Sequence, residues 1–434
     1  LTRARRHTLL ATVLLAIVSF PPSWERRLIA IDPLPALSGE VCAMPGLMAA
    51  ALQDGSVGSR PGTTPRAPIR TIRDRFASFS AVAVDLVRDE VVVTDENLFQ
   101  VMTYDRTASG MAKPKRVISG DKTDIEFQCG LYIDPKTGEI FAVNNDTQDK
   151  LVIFGPEAVG NVKPTRFIET PHGTFGIAVD ESRQELFLSV QHDSAVVVYR
   201  KAASGEEPPI RLIQGDRTGL ADPHGVAVDE RRGLLFVANF GSTHSVRAGQ
   251  KRGSEEALPA RQRGPRPNWP LDRLNAVPGS GRLLPPSITV YARDARGDAA
   301  PLRTIAGDRT QLNWPTGVAV DPVRGDLFVT NDVDSSILVF DGDAGGNVAP
   351  IRVVKGSKTA IKNPTGVFLD SKHNELWVAN FGGHSIGVFR SDASGDTAPL
   401  RIIRSAAEEV PSLMIGNPGA VAFDTKRGEI LVPN

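Results

Sequence analysis

The sequence predicts an all-β protein, a seven-bladed β-propeller of four-stranded blades closed by pairing of the N- and C-terminal segments and preceded by a signal-like segment. Three observations carry this prediction. The stretch 313–354, NWPTGVAVDPVRGDLFVTNDVDSSILVFDGDAGGNVAPIRVV, recurs in close variants, most plainly NPTGVFLDSKHNELWVANFGGHSIGVFRSDASGDTAPLRII at 363–403. The Asp that closes the first strand of each copy marks seven units, at Asp85, Asp134, Asp180, Asp229, Asp321, Asp370 and Asp424. The steps between them are 49, 46, 49, 92, 49 and 54 residues, and a period of 40–50 residues made of short strands is the signature of propeller blades. Seven residues after each marker stand Val92, Phe141, Phe187, Phe236, Phe328, Trp377 and Leu431, a column of large apolar side chains suited to filling the space between twisted sheets.

Each unit reads as four strands. The first, GVAVD at 317–321, is apolar nearly throughout, as the innermost strand of a blade requires. A turn such as DPVRG follows, in which the marker Asp accepts from its own downstream backbone and Gly supplies positive φ. DLFVTN is the second strand, and the β-branched and aromatic SILVF the third. The fourth, PIRVV or PLRII, begins with Pro, which places it at the outer rim, where a missing N–H leaves no buried partner.

The remainder of the chain divides around this repeat. Arg3, Arg5 and Arg6 precede an apolar run from Leu9 to Phe20, so 1–22 reads as a secretory signal, or as an anchor if it is retained. Residues 23–66 form a transition rich in Gly, Pro and Ser; RRLIAID at 26–32 either supplies the third strand of the closing blade or belongs to an irregular segment. APIRTI at 67–72 matches a fourth strand, and with the two-stranded 417–434 it is expected to complete one blade of the 67–434 propeller. The swollen step lies in blade four, where 240–286, rich in Arg, Gly and Pro, enters between the second and third strands as a surface insert. These features predict a periplasmic or secreted protein, or a membrane-anchored one if the N-terminal segment stays attached. Fifty basic residues balance fifty acidic ones, so no net field recruits nucleic acid or an anionic membrane, and membrane contact is expected only through the N-terminal segment.

Two columns converge on one face of the predicted ring. Five residues before each marker lie Ser80, Cys129, Phe175, His224, Thr316, Thr365 and Gly419, at the channel mouth. Ten after it lie Asp95, Asn144, Val190, Asn239, Asn331, Asn380 and Asn434. These amides and the one carboxylate either cap the turn into the third strand or gather around a central ligand. His224, Asn239, Asn331, Asn380 and His384 are therefore the candidate ligand- or partner-binding residues. His224 is also the candidate general base, and Asp95, Asn239 and Asn331 are the candidate oxygen ligands for a divalent cation such as Ca²⁺. No HExxH, GxSxG or phosphate-loop pattern occurs, and the histidines at 172, 192, 244 and 384 have no short-range ligand spacing. Two cysteines make no disulfide framework; in an exported protein Cys42 and Cys129 could join.

LNWPTGVAVD, LFVTN, SILVF and APIRVV, taken together, resemble the NHL-repeat and YVTN-type propellers of bacteria over about 67–434. That resemblance implies the fold, and among its relatives are sugar lactonases of the gluconolactonase type and lyases as well as binding modules. The lactonase pattern implies a metal-binding Glu, two Asn and an Asp around the channel. Asn239, Asn331 and Asp95 stand in for the Asn and Asp members, and none of the seven channel-mouth positions five before a marker carries the Glu. The expected function is a non-enzymatic binding or scaffolding module for an unidentified protein, small molecule or glycan, with no resident cofactor. The alternative is a metal-assisted lactonase, esterase or lyase at the channel mouth.

Overall fold

The computed structural model describes residues 74–145, 148–243, 282–412, 422–424, 426–427 and 429–431. Six antiparallel sheets of four strands follow one another along the chain: blade one at 79–119, two at 128–169, three at 174–213, four at 223–306, five at 315–354 and six at 364–404. Within each, the strands lie side by side in chain order, so the predicted four-strand unit is the unit of the fold. The second and third strands pair without interruption, as Asp326↔Asp341 through Asn331↔Ser336 in blade five. The first strand carries a register shift near its start in every blade, beside the glycine of the GVAVD motif or, in blade one, Ala81.

That glycine explains how the inner strands approach each other. A Cβ on Gly176 would lie 2.3 Å from the His224 carbonyl oxygen of the next blade, and one on Gly225 would lie 2.4 Å from Thr316 O. These are contacts with backbone, which cannot swing aside, so the innermost ring is built on missing side chains. Hydroxyls stitch the same level: Ser189 Oγ donates to His224 O, and Thr330 Oγ1 to Thr365 O at 3.2 Å.

The core is a set of wedges between blades. Phe141 of blade two packs with Leu186, Val197 and Tyr199 of blade three; Phe236 of blade four packs with Leu327 and Phe340 of blade five. Phe141, Phe187, Phe236, Phe328 and Trp377 are all fully buried, so the bulky column is core. At the rim, the arginine of the PIR and PLR segments reaches back to an acidic residue that opens the second strand, as Arg211 to Glu185 (2.7 and 2.6 Å) and Arg352 to Asp326 (3.0 Å). The same guanidinium lies over the buried aromatic of its blade, 5.6 Å from Phe187 in one case and 5.3 Å from Trp377 in another.

The ring has six blades, which corrects the expected seven. The interface that would have received a seventh blade is already filled, because blade six packs directly on blade one. Trp377, Ile386 and Val388 share a core with Phe79, Val82 and Val91. Thr365 Oγ1 donates to Ser80 O at 2.8 Å, and a Cβ on Gly366 would lie 2.7 Å from that oxygen. A parallel bridge joins Gly110 to Ile403, the same bridge that links Ile118 to Gly160, Ile168 to Gly205 and each later pair of neighbours. Asp424, the seventh marker, lies in a separate hairpin in which Ala422–Asp424 pairs with Glu429–Leu431 and with no blade. Two strands carry the start of the repeat, and among the described residues no outer pair completes a sheet with them. Closure is thus a contact between complete blades, not a blade shared by the chain ends. Residues 67–73, assigned to that shared blade, lie outside the described residues, as do 1–66. No helix among the described residues is long and apolar enough to cross a membrane.

Candidate functional site

The marker aspartates serve the turns, as expected. Asp85 Oδ1 accepts from Val87 N and Arg88 N (both 2.9 Å), and Asp321 Oδ1 from Val323 N and Arg324 N (2.8 and 3.1 Å). The amide column does related work one level away. Asn144 Oδ1 accepts from Glu126 N (3.0 Å), Asn239 Oδ1 from Ala221 N (3.0 Å), Asn331 Oδ1 from Asn313 N (2.6 Å) and Asn380 Oδ1 from Lys362 N (3.4 Å). Each is buried and ties the end of a second strand to the loop that leads into the first strand of its own blade. Asp95 takes this place in blade one, accepting from Ser78 N (2.7 Å), Asn97 N (2.9 Å), Leu98 N (3.1 Å) and Gln100 Nε2 (3.0 Å). Burial drives its carboxyl up to about 6 against those donors. The candidate cation ligands Asp95, Asn239 and Asn331 therefore stand on blades one, four and five with side-chain oxygens engaged by the protein's own N–H groups. Among the described residues, no three His, Cys, Asp or Glu side chains are grouped to hold a metal ion.

His384 is fully buried in blade six, with Nε2 2.9 Å from Asp74 Oδ2 and Nδ1 2.7 Å from Ala77 O. It anchors the segment leading into blade one. His172 and His192 meet at 5.0 Å between ring centroids, and His172 Nδ1 lies 3.1 Å from Asp149 Oδ1. Cys129 Sγ donates to Glu96 Oε1 at 3.3 Å. Burial, with Asp95 beside it, drives the Glu96 carboxyl up to about 7. Cys42, its proposed disulfide partner, lies outside the described residues, as do His244 and Asn434.

His224 sits differently. Its Nδ1 is 3.0 Å from Asp222 O, and its Nε2 is 2.6 Å from Gln191 Nε2. These partners assign one tautomer: Nδ1–H donates to the carbonyl, and Nε2 accepts from the amide. Burial pulls the imidazole below the usual histidine range, with Asp222 opposing, so the ring is neutral at physiological pH. Gln191 Oε1 in turn accepts from Asn145 Nδ2 at 2.8 Å, completing a chain of amides across blades two, three and four. With its Nε2 lone pair engaged, His224 is an aromatic and polar wall in this state.

Around this histidine the mouth face becomes aromatic. Phe240 stacks on His224 at 3.3 Å between ring centroids and 10° between planes, and Trp314 stacks on Phe240 at 5.2 Å and 20°. Phe175 approaches the other side of His224 at 4.2 Å. The stack borders a cleft of about 490 Å³ lined by Gln191, Asp222, His224, Phe240, Asn313 and Trp314, a volume within the range of small-molecule sites. Leu284 and Pro286, at the returning end of the blade-four insert, close its far side. The insert's base is a short hairpin, Ser242–Thr243 paired with Arg282–Leu283. The central channel offers only about 70 Å³ between its glycine-lined strands. The site therefore lies beside the channel, over blades three to five.

Trp314 has no structural need to be tryptophan. It stands seven residues before its marker, where five blades hold a left-handed backbone: Phe127 (φ 40°), Gly173 (74°), Asp222 (55°), Trp314 (55°) and Asn363 (44°). Gly, Asp and Asn tolerate that conformation, whereas a bulky side chain raises its cost by about 1–2 kcal/mol. Trp314 is also 50% exposed, so it does not fill a core. Phe127 is the other bulky exception; it pairs with Phe99, and their ring centroids lie 5.0 Å apart.

Sequence reasoning found His224 and missed its surroundings. The signal is the column after the amides, Glu96, Asn145, Gln191, Phe240, Asp332 and Phe381, whose second and third members touch the lead-in segments of the next blades.

No family model matches the chain, and no curated protein matches it. Among solved structures it is similar to a chain of the Kuenenia stuttgartiensis hydrazine synthase, with 12% identity and a TM-score of 0.48 over 76% of this chain and 99% of that one. It is likewise similar to a chain of a nidogen/laminin complex, with 12% identity and a TM-score of 0.38 over 76% of this chain and 80% of that one.

Proposed function

We propose that this protein is an extracytoplasmic binding module whose working site is the aromatic cleft over blades three to five. The observation that carries this reading is Trp314, a half-exposed tryptophan held in a left-handed backbone position that glycine or asparagine would occupy at less cost. Rigid loops on a closed ring are suited to recognition, and the blade-four insert begins and ends at the same cleft. Export rests on the Arg-then-apolar N-terminus, and kinship with NHL-repeat and YVTN-type propellers rests on the repeat pattern alone.

Ligand-observed NMR screening of a mixed library of amines, saccharides and short peptides against the full chain tests the site. Trp314→Asn is the comparison, since asparagine keeps the left-handed turn. Compounds that bind the parent and release on substitution, with unchanged circular dichroism, support the cleft. Compounds that bind both proteins equally, or none at all, refute it.

A further inference from the structure

The open half of Trp314 narrows the class of ligand. Phe240 covers one of its faces, with 5.2 Å between ring centroids and 20° between planes, and the residue is nonetheless 50% exposed. Its uncovered face is a flat apolar plate at the wall of the cleft. The plate is held in place from behind: Trp314 is the last of three stacked rings, on Phe240 and His224, and His224 is fixed at both ring nitrogens.

The edge of the plate is polar. Among the described residues, neither the Trp314 indole N–H nor Asn313 Oδ1 is engaged in a hydrogen bond. Asn313 Nδ2 gives one hydrogen to Asp334 Oδ1 at 3.1 Å, and Gln191 Nε2 gives one to His224 Nε2. A primary amide carries two donor hydrogens and an oxygen with two lone pairs, so donor and acceptor capacity stand side by side here. A wholly apolar guest would strip water from these groups without replacing it, at about 1–3 kcal/mol for each group left unmade. A hydroxyl both donates and accepts, and so satisfies either kind of group.

A flat apolar plate bordered by mixed donors and acceptors matches a pyranose ring, whose axial C–H bonds form an apolar face and whose equatorial hydroxyls surround its edge. Resting on the cleft as the ligand site, we propose that it takes a neutral saccharide, one pyranose ring laid on the open face of Trp314 with its hydroxyls held by Asn313 and Gln191. Recognition of this kind needs no net charge in the cleft.

Ligand-observed NMR titration of the full chain uses cellotriose, chitotriose and maltotriose, with indole and adenosine as flat aromatic probes. The expected result is saturable binding of at least one trisaccharide, with saturation transfer strongest at the hydrogens of one ring face. Trp314→Asn keeps the left-handed turn, so folding is retained, and is expected to weaken that trisaccharide by at least about tenfold. Asn313→Ala is expected to weaken it about two- to tenfold. A trisaccharide bound equally by the parent and Trp314→Asn overturns the proposal by placing its site elsewhere. Indole or adenosine bound through Trp314, with all three trisaccharides silent, overturns the saccharide while leaving the cleft as a ligand site. Failure of all five probes also overturns it, and the broader library then decides whether the cleft binds anything.

Discussion

Ring closure can be read from a single ion-pair network that exists only if blade six touches blade one. Glu375, at the start of the second strand of blade six, accepts from Arg401 Nη1 of its own blade (2.9 Å) and from Arg106 Nη1 of blade one (3.1 Å). The Arg106 side chain is 13% exposed and that of Glu375 9%, so water screens the pair little. Burial alone would raise the Glu375 carboxyl, but Arg401 and Arg106 outweigh it and hold it below its ordinary value of 4.5. Its contribution to stability is therefore present above that value and lost as pH falls through the lower folded one. Charge-assisted hydrogen bonds contribute about 1.5–3 kcal/mol, and Arg106 shares its guanidinium with Asp89, so the pairwise coupling is expected at about 1–2 kcal/mol. The assay is a double-mutant cycle of Arg106→Gln and Glu375→Gln by urea unfolding at pH 7, with Arg106→Gln and Asp326→Asn as a pair of sites in non-adjacent blades. The distant pair should be additive within about 0.5 kcal/mol. Equal additivity for Arg106 and Glu375 would refute closure at six, because a further blade between them would abolish the contact.

Three further expectations concern the inner ring and the mouth. Gly225→Ala drives a Cβ to within 2.4 Å of Thr316 O and should cost about 1–3 kcal/mol by chemical denaturation; a neutral result would contradict the close approach. Asn239→Ala leaves the buried Ala221 N–H without its acceptor and should cost about 1–3 kcal/mol; metal bound by the parent and lost with the side chain would instead point to a ligand role. Asp95 and Glu96 are raised from 3.8 to about 6 and from 4.5 to about 7, so their protonated forms favour folding at low pH. That contribution falls away as pH rises through 6 and 7, and Asp95→Asn with Glu96→Gln should flatten the slope of stability between pH 4 and 7. An unchanged slope would contradict the shifts.

The blades were legible because their physics repeats. Phe141, Phe187, Phe236, Phe328 and Trp377 recur at a fixed distance from an Asp that caps a turn, and both roles depend on local sequence. Blade number was not legible, because the hairpin at 422–431 carries the same opening pattern as a blade, and the space around a ring is not written in any one repeat. The amide column could be found but its two readings could not be separated until Ala221 N and Asn313 N were seen to occupy Asn239 and Asn331. His224 was singled out by its column, whereas Phe240 and Trp314 come from different columns and meet only through the bend between blades four and five. Left-handed backbone at Trp314 has no sequence mark at all beyond an aromatic, shared with Phe127 of blade two, where blades three, four and six carry Gly, Asp and Asn.

Trp314 also provides the most direct test of the cleft. Trp377 is fully buried and Trp314 half exposed, so a limiting dose of N-bromosuccinimide should oxidise the second and spare the first, as read by peptide mass spectrometry. With a ligand from the screen bound at saturation, the cleft account predicts that oxidation of Trp314 is suppressed while Trp377 stays untouched in both states. Saturating ligand with Trp314 oxidised as fast as in the free protein would place binding elsewhere and contradict the account.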